Sequence, residues 1–368
     1  MKNGKLQIGL IGIGGIANQK HMPSLSQMKD LCELVAFCDI IKERAEAGAK
    51  EFGAPGAKVY TDYKELLADD SIDVVHVLTP NVAHAQIVVD AFAAGKHVLC
   101  EKPMSHSSSE AQRMIDAWKK SGKHFTIGYQ NRFRPEIQAL KRRCEAGDLG
   151  DIYFAKAHAL RRRAVPTWGV FTDKAKQGGG CLIDIGTHAL DMTLWCMDNY
   201  KPATVTGSVF YKMAAETEGN QFGPWDPATF DVEDSAFGFI KMENGATIFL
   251  ESSWNLNIAD AKEGATTLCG TKAGAEITDL MGPSGKLKVY TAKYGSLYNE
   301  EPFSAGPGSV AFFEGVGSGQ PADIEARQWL LSILNDTEPL VLPEQAFVVT
   351  QILEAIYRSN ETGTIVKL

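Results

Sequence analysis

The stretch Ile8-Gly9-Leu10-Ile11-Gly12-Ile13-Gly14-Gly15-Ile16-Ala17 decides how this chain is read. Its β-branched apolar start has the composition of a buried parallel strand, and the glycines after it mark a tight turn into a helix. Gly12, Gly14 and Ala17 occupy the three small-residue positions of the G-x-G-x-x-G/A dinucleotide fingerprint. Gly12 permits the turn, Gly14 lets the backbone approach a pyrophosphate, and Ala17 lets the helix lie close on the strand. Gly12, Ile13, Gly14, Gly15, Ile16 and Ala17 together form the candidate cofactor-binding turn, with the helix start offering N–H groups and a favourable dipole to the anion. A second strand, Leu34-Val35-Ala36-Phe37-Cys38, ends in Asp39. An acid about 20 residues beyond the glycines grips the adenosine ribose in this arrangement. The plainer reading of Asp39 is a strand-end turn residue. Strand, turn, helix, strand and acid, in that order, read as one half of a Rossmann fold.

Outward from this unit the β-α alternation continues. Helix is expected from the glycine turn to about Met28 with a kink at Pro23, then over Lys42–Phe52, from a cap at Thr61 or Asp62, over Val82–Ala94, and over Ser109–Lys120. Strands are expected around Lys58–Tyr60, Asp73–Leu78, His97–Cys100 and His124–Tyr129. This is a doubly wound parallel sheet over residues 1–125. Beyond Gln130 the pattern changes. Helices near Glu136–Glu145 and Leu182–Met197 are set among strands Ile152–Leu160, Thr204–Tyr211, Ser235–Met242, Ala246–Trp254 and Thr266–Cys269. Asn244-Gly245 is a strong hairpin turn between two of them. Residues 126–368 therefore form a second, α+β domain for substrate binding and oligomerisation, built on an open, mainly antiparallel sheet, with an uncovered face suited to self-association. Met213–Phe230 reads as a long polar loop and Leu280–Gly319 as the least legible region. Two helices separated by Pro339 and Pro343 close the chain.

At 368 residues, 44% hydrophobic and 22% charged, the chain has the composition of a two-domain globular protein. Its net charge of −8 argues against a nucleic-acid or anionic-membrane partner. The triplet Arg161-Arg162-Arg163 is the local exception, as either a solvated loop face or an anion contact. Seven cysteines, never in a C-x-x-C pair, fit a reducing compartment and buried thiols, and with it a cytoplasmic location. Four of the nine residues Ile8–Ile16 are glycine, so this run is read as strand and turn, not as the apolar core of a signal peptide. No window approaches a membrane span.

Ligands of open α/β sheets bind outside the carboxyl ends of the strands. Thr79-Pro80-Asn81 and Glu101-Lys102-Pro103 stand at such ends. Lys102, next to a rigid proline, is placed to reach a substrate oxygen or the nicotinamide ribose; the alternative is an ordinary surface lysine. His84, one turn into the following helix, is either a cofactor neighbour or a helix-face residue. The second constellation is Gly178-Gly179-Gly180-Cys181-Leu182-Ile183-Asp184-Ile185-Gly186-Thr187-His188-Ala189-Leu190-Asp191. Helical spacing puts Asp184, His188 and Asp191 on one face of an otherwise apolar helix. His188 is the natural proton acceptor near neutral pH, and the helix dipole favours ionised Asp184. A solvated face and an Asp/His/Asp metal site are the alternatives, the latter weakened by the lack of a nearby Cys or second His. No metal is therefore expected.

The glycine turn, Asp39, Thr79-Pro80-Asn81-x-x-His84, Glu101-Lys102-Pro103, Gly128-Tyr129-Gln130-Asn131-Arg132-Phe133 and the Gly178–Asp191 run resemble the Gfo/Idh/MocA oxidoreductases over nearly the whole length. The resemblance implies a nicotinamide-binding Rossmann domain joined to an open-sheet domain that mediates homodimers or homotetramers. It carries over Lys102, Asp184 and His188 as catalytic residues. Thr79, Pro80, Asn81, His84, Glu101 and Gln130 fall beside the cofactor, and Trp168 resembles a loop residue that closes over nicotinamide. Lys102, Gln130, Asn131, Asp184 and His188 suit the vicinal hydroxyls of a sugar or cyclitol. The expected activity is NAD-dependent oxidation of a ring secondary hydroxyl, at C3 by the resemblance, with NAD preferred to NADP because Asp39 would face the extra phosphate. A neutral hexose, glycoside or cyclitol is favoured over a sugar phosphate or uronate. The rival readings are an NAD-assisted glycosidase of the same fold and a non-catalytic sugar or dinucleotide sensor.

Overall fold

A computed structural model describes residues 1–2, 4–278, 286–301 and 320–368. The chain divides into two compact units. The first comprises Met1–Gln130, Ala175–Gly178 and Gly319–Thr350; the second comprises Asn131–Lys174, Gly179–Ser318 and Gln351–Leu368. The expected boundary at residue 125 thus falls near the first crossing, but the segment from 319 to 350 belongs with the first unit.

In the first unit six strands, β1 (Leu6–Ile11), β2 (Cys32–Cys38), β3 (Lys58–Tyr60), β4 (Val74–Val77), β5 (His97–Cys100) and β6 (Phe125–Ile127), form one sheet in the order β3-β2-β1-β4-β5-β6. Every pairing is parallel. This is the doubly wound order whose switch point lies between β1 and β4. β1 is buried at all six positions, as a strand covered on both faces must be. The helix after the glycine turn opens with a π-turn (Ala17–His21) and continues as α1 (Met22–Ser26). Pro23 stands just after the π-turn, within unbroken helical backbone from residue 15 to residue 26. Asp62 caps α3 (Tyr63–Leu67), accepting from the Lys64 N–H. Leu10, Ile13, Ala17, Leu25 and Phe37 share a core cluster with Trp329 and Leu330 of the helix Pro321–Leu334. That packing is why the late segment belongs to this unit.

Among the described residues the second unit's sheet has nine strands, β7 (Ile152–Leu160), β8 (Pro202–Phe210), β9 (Ser235–Met242), β10 (Thr247–Ser253), β11 (Glu263–Gly270), β12 (Ala273–Thr278), β13 (Lys286–Lys293), β14 (Ser296–Glu300) and β15 (Val366–Lys367), in the order β14-β13-β12-β11-β7-β10-β9-β8-β15. Its centre is β7 (Ile152–Leu160), paired parallel with β10 (Thr247–Ser253) and antiparallel with β11 (Glu263–Gly270). β9 (Ser235–Met242) turns into β10 through Asn244-Gly245, with Gly245 at φ +87°. Helix α6 (Pro135–Glu145) and helix α8 (Thr187–Met197), which α7 (Lys174–Gln177) precedes in the chain, lie on one face. Under them are Ala155, Ala157, Ile240, Ile248, Leu250 and Leu268, all fully buried. Among the described residues no helix packs on the other face. Phe239 and Phe249, 38% and 40% exposed, pair edge to face there at 5.0 Å. In the illegible stretch from Leu280 to Gly319, β13 (Lys286–Lys293) and β14 (Ser296–Glu300) extend the sheet; residues 280–285 and 302–319 lie outside the described residues. Among the described residues no helix is long and apolar enough to cross a membrane.

Candidate active site

The glycine turn is built as a cofactor cradle requires. Gly12 has φ +95°, and a Cβ there would lie 2.8 Å from the Leu78 backbone, so no other residue fits. A Cβ at Gly14 or Gly15 would project into open space. The chain's own packing does not require these two glycines; close approach of a phosphate does. Ala17 is fully buried, as a helix lying against a strand demands. The Ile13 side chain is buried in the core, while Ile16 is 37% exposed. Asp39 makes the contacts of a strand-end turn residue. Its Oδ2 accepts from the Ile13 N–H and its Oδ1 from the Ile41 N–H, each at 2.8 Å. It therefore ties the end of β2 to the glycine turn, and each oxygen keeps a second lone pair for a ribose hydroxyl.

At the ends of β4 and β5, Pro80 is exposed, Thr79 is half-buried, and the Asn81 side-chain amide donates to the Gln177 carbonyl at 3.1 Å. His84 is fully buried. Its Nε2 lies 2.8 Å from the Thr79 carbonyl and its Nδ1 3.0 Å from the Pro103 carbonyl. Burial pushes its pKa down, and the two carbonyls push back. His84 is neither on a helix surface nor open to a ligand; it clamps the backbone on both sides of the two strand ends.

Glu101 proves to be the centre of a buried charge cluster. Its Oε1 lies 2.8 Å from both Lys20 Nζ and His21 Nε2, and its Oε2 accepts from the Lys102 N–H at 3.0 Å. Lys20 also pairs with Glu325 at 2.8 Å and reaches the Gln130 side-chain oxygen at 3.4 Å, and His21 Nδ1 lies 3.1 Å from His76 Nδ1. Burial alone would raise the Glu101 carboxyl; Lys20 and His21 instead hold it well below the usual range. Burial would lower the Lys20 ammonium; Glu101 and Glu325 hold it above its ordinary value. His21 and His76 are both pushed down, first by burial, so they are neutral beside the cationic lysine. The cluster holds the backbone of Lys102, whose side chain is half-buried. Glu101 is thus a support for the lysine. Lys20, His21, His76 and Glu325 were not singled out in the sequence. The one available sign is that Lys20 and His21 are the ionisable residues of an otherwise uncharged segment, Ala17–Ser26.

In the second unit a π-turn (Leu182–Gly186) leads into α8. From Cys181 to Cys196 every residue is buried except Asp184 and His188. These two present the polar face of the helix, and Asp184 Oδ2 accepts from the Trp254 indole N–H at 3.0 Å. Asp191 is not on that face. It is buried and paired with Arg132, its oxygens 2.5 and 3.0 Å from the guanidinium. The π-turn adds one residue to a turn, so positions beyond it are rotated by ~100° from the expected phase. With Asp191 turned inward the Asp/His/Asp metal reading falls, and no cluster of three or more ligating residues occurs among the described residues.

Asn131 is half-buried within the short helix Gln130–Phe133. Trp168 is half-exposed and packs edge-on against Phe222, ring centroids 4.8 Å apart. The arginine triplet divides its work. Arg161 forms a two-point ion pair with Glu263, and Arg163 donates to the Glu216 carbonyl at 3.2 Å and to the Asn257 side chain at 3.0 Å. Arg162 is exposed and, with Arg163, lines a cavity of about 420 Å³.

Comparison with known proteins agrees with this anatomy. Residues 6–129 match the oxidoreductase family with an NAD-binding Rossmann fold, and residues 137–276 match the GFO/IDH/MocA C-terminal domain. D-glucoside 3-dehydrogenase of Escherichia coli K12 is 34% identical over 369 residues, covering 100% of this chain and 99% of that protein. Glucose-6-phosphate 3-dehydrogenase of Bacillus subtilis is 35% identical over 212 residues, 56% of this chain and 57% of that protein. The solved structure of levoglucosan dehydrogenase with NADH and levoglucosan shares the fold, at a TM-score of 0.82 and 23% identity over 99% of each chain. By its sequence from end to end and by the fold of both units, the chain belongs to the Gfo/Idh/MocA family of oxidoreductases.

Proposed function

We propose that this protein is an NAD-dependent dehydrogenase that oxidises a ring secondary hydroxyl of a neutral sugar, glycoside or cyclitol. The observation that carries the reading is the end-to-end likeness to a D-glucoside 3-dehydrogenase. Gly12–Ala17 and Asp39 hold the dinucleotide, with Thr79, Pro80, Asn81, Gln130 and Trp168 beside it. Bound NAD would supply the oxidant, as acceptor of the hydride from the carbinol carbon. His188 takes the hydroxyl proton, Lys102 stabilises negative charge developing on that oxygen, and Asp184 accepts from substrate hydroxyls, with Gln130 and Asn131 contributing amides. Arg161 and Arg163 are engaged with protein groups, which favours a neutral substrate over a phosphorylated one.

A panel of glucosides, inositols and glucose 6-phosphate, incubated with NAD⁺ and read by NADH formation, tests the reading. NADH from neutral compounds supports it. Turnover confined to the phosphate rejects the neutral class, and aglycone release without net NADH identifies the glycosidase instead.

Asp39 sets the cofactor preference. Two unit charges ~4 Å apart at an effective dielectric near 20 repel by ~4 kcal/mol before solvent screening, which is the scale of the penalty on a 2′-phosphate. Asp39→Ala is expected to bring the kcat/KM ratio of NAD to NADP toward one. It also weakens NAD itself, because the Ile13 N–H loses its acceptor. A parent enzyme that uses NADP as well as NAD contradicts this assignment.

The face of the second unit's sheet that carries exposed Phe239 and Phe249 supports a homodimer or homotetramer through that sheet. Phe249→Asp is expected to reduce the mass measured by light scattering to that of fewer chains, and a single-chain mass for the parent rejects the assembly. The seven free thiols favour a cytoplasmic setting.

A further inference from the structure

We infer that Trp254 is the positioning residue of Asp184: its indole N–H fixes one carboxylate oxygen as a permanent acceptor and thereby aims the other. The inference rests on the role proposed for Asp184 above.

Three observations carry it. First, the contact is made by a group with no alternative behaviour. Indole is a donor only, so the oxygen 3.0 Å from Trp254 Nε1 must offer a lone pair. A proton on that oxygen would face another proton. The oxygen facing Trp254 therefore works as an acceptor.

Second, the indole cannot move. Trp254 is fully buried directly after the end of β10, and its ring packs edge-on to Phe230 at 6.4 Å. Its backbone N–H donates to the Asp234 carbonyl and its carbonyl accepts from the Ala164 N–H, both at 3.0 Å.

Third, the turn that carries Asp184 is fastened to the same strand. Ser252 Oγ donates to the Cys181 carbonyl at 2.8 Å, and a Cβ on Gly186 would come within 3.0 Å of Ser252 Oγ. The distance between indole and carboxylate is thus set by two backbones in close contact. A half-buried aspartate without such a bond samples several rotamers; here one is selected.

The experiment is a double-mutant cycle on the full chain with NAD⁺ and the best neutral sugar of the panel. Trp254→Phe keeps an aromatic ring and removes the donor, together with part of the buried ring volume, so the cycle with Asp184→Ala separates the two effects. The single variant is expected to lower kcat about 10- to 100-fold, the range for one hydrogen bond to a charged group, with NAD affinity retained. Asp184→Ala is expected to lose at least as much, and the double variant to be no slower than Asp184→Ala. Losses that multiply in the double variant, or parental kcat in a folded Trp254→Phe, overturn the inference.

A second measurement is independent of turnover. One of the six indole N–H proton resonances is expected to move upfield in Asp184→Ala, and six unmoved resonances also overturn the contact. If Asp184→Ala turns over like the parent while that resonance moves, the contact stands and the role proposed for Asp184 fails.

Discussion

His188→Ala is expected to lose kcat by ~10²–10⁴-fold, the usual worth of a positioned proton acceptor, while still binding NAD. The expectation comes from counting the imidazoles. Of the eight histidines, His21, His76, His84, His97, His106 and His124 belong to the first unit. In the second, His158 lies 2.6 Å from Glu251 on the face of the sheet away from its helices. That leaves His188, which shares with Asp184 the polar face of a helix whose other residues are buried. A helix face that merely met water would tolerate alanine at both positions. The check is steady-state turnover alongside NAD titration by protein fluorescence. Loss of kcat without loss of NAD affinity is the expected pattern; parental kcat moves the base elsewhere, Lys102 being the first candidate.

The second large effect is on stability. Glu101→Ala removes the carboxylate that neutralises a buried ammonium, and breaking one side of a buried pair costs ~3–5 kcal/mol. Glu325 remains on Lys20, so the lower end, ~3 kcal/mol, is expected, read from the shift in denaturant midpoint. Turnover falls as well, because the Lys102 N–H loses its acceptor. The same cluster sets a pH window. Glu101 has its carboxyl below the ordinary 4.5, so its contribution is complete above 4.5 and is lost as pH falls through the depressed value. Lys20 is held above its ordinary 10.5, so its contribution is complete below 10.5 and is lost as pH rises through the raised value. Between those limits Glu101 and Lys20 add no slope, whereas His21 and His76, held neutral in the fold, cost stability as pH falls through their ordinary 6.5. An unchanged midpoint in Glu101→Ala would show that the pair contributes nothing.

Several features were readable from local sequence because local chemistry determines them. Gly12 must be glycine wherever a strand end folds back on a neighbouring strand, and the apolar run before it has one satisfactory environment, a covered parallel sheet. The hairpin at Asn244-Gly245 and the cap at Asp62 depend on a few neighbouring backbone groups. The phase of the polar helix was not readable. A regular α-helix puts Asp191 on the face of Asp184; the π-turn at Leu182–Gly186 rotates it into the core against Arg132. No local pattern announces a single wide turn, since its stability comes from the strand packed beside it.

By itself the sequence determined the cofactor half of the protein, its β-α order and its glycine turn, and it put forward the three side chains proposed for chemistry. Only the tertiary structure decided what each of them leans on. Asp39 holds the turn it follows, His84 clamps two backbones, Glu101 neutralises Lys20, and Trp254 holds Asp184. The tail helix Pro321–Leu334 brings Glu325 to the same lysine. These partners are distant in the chain, and nothing in the residues around either one specifies the other. A buried charge or carboxylate must find a partner, but which one it finds depends on which elements the packed core brings together.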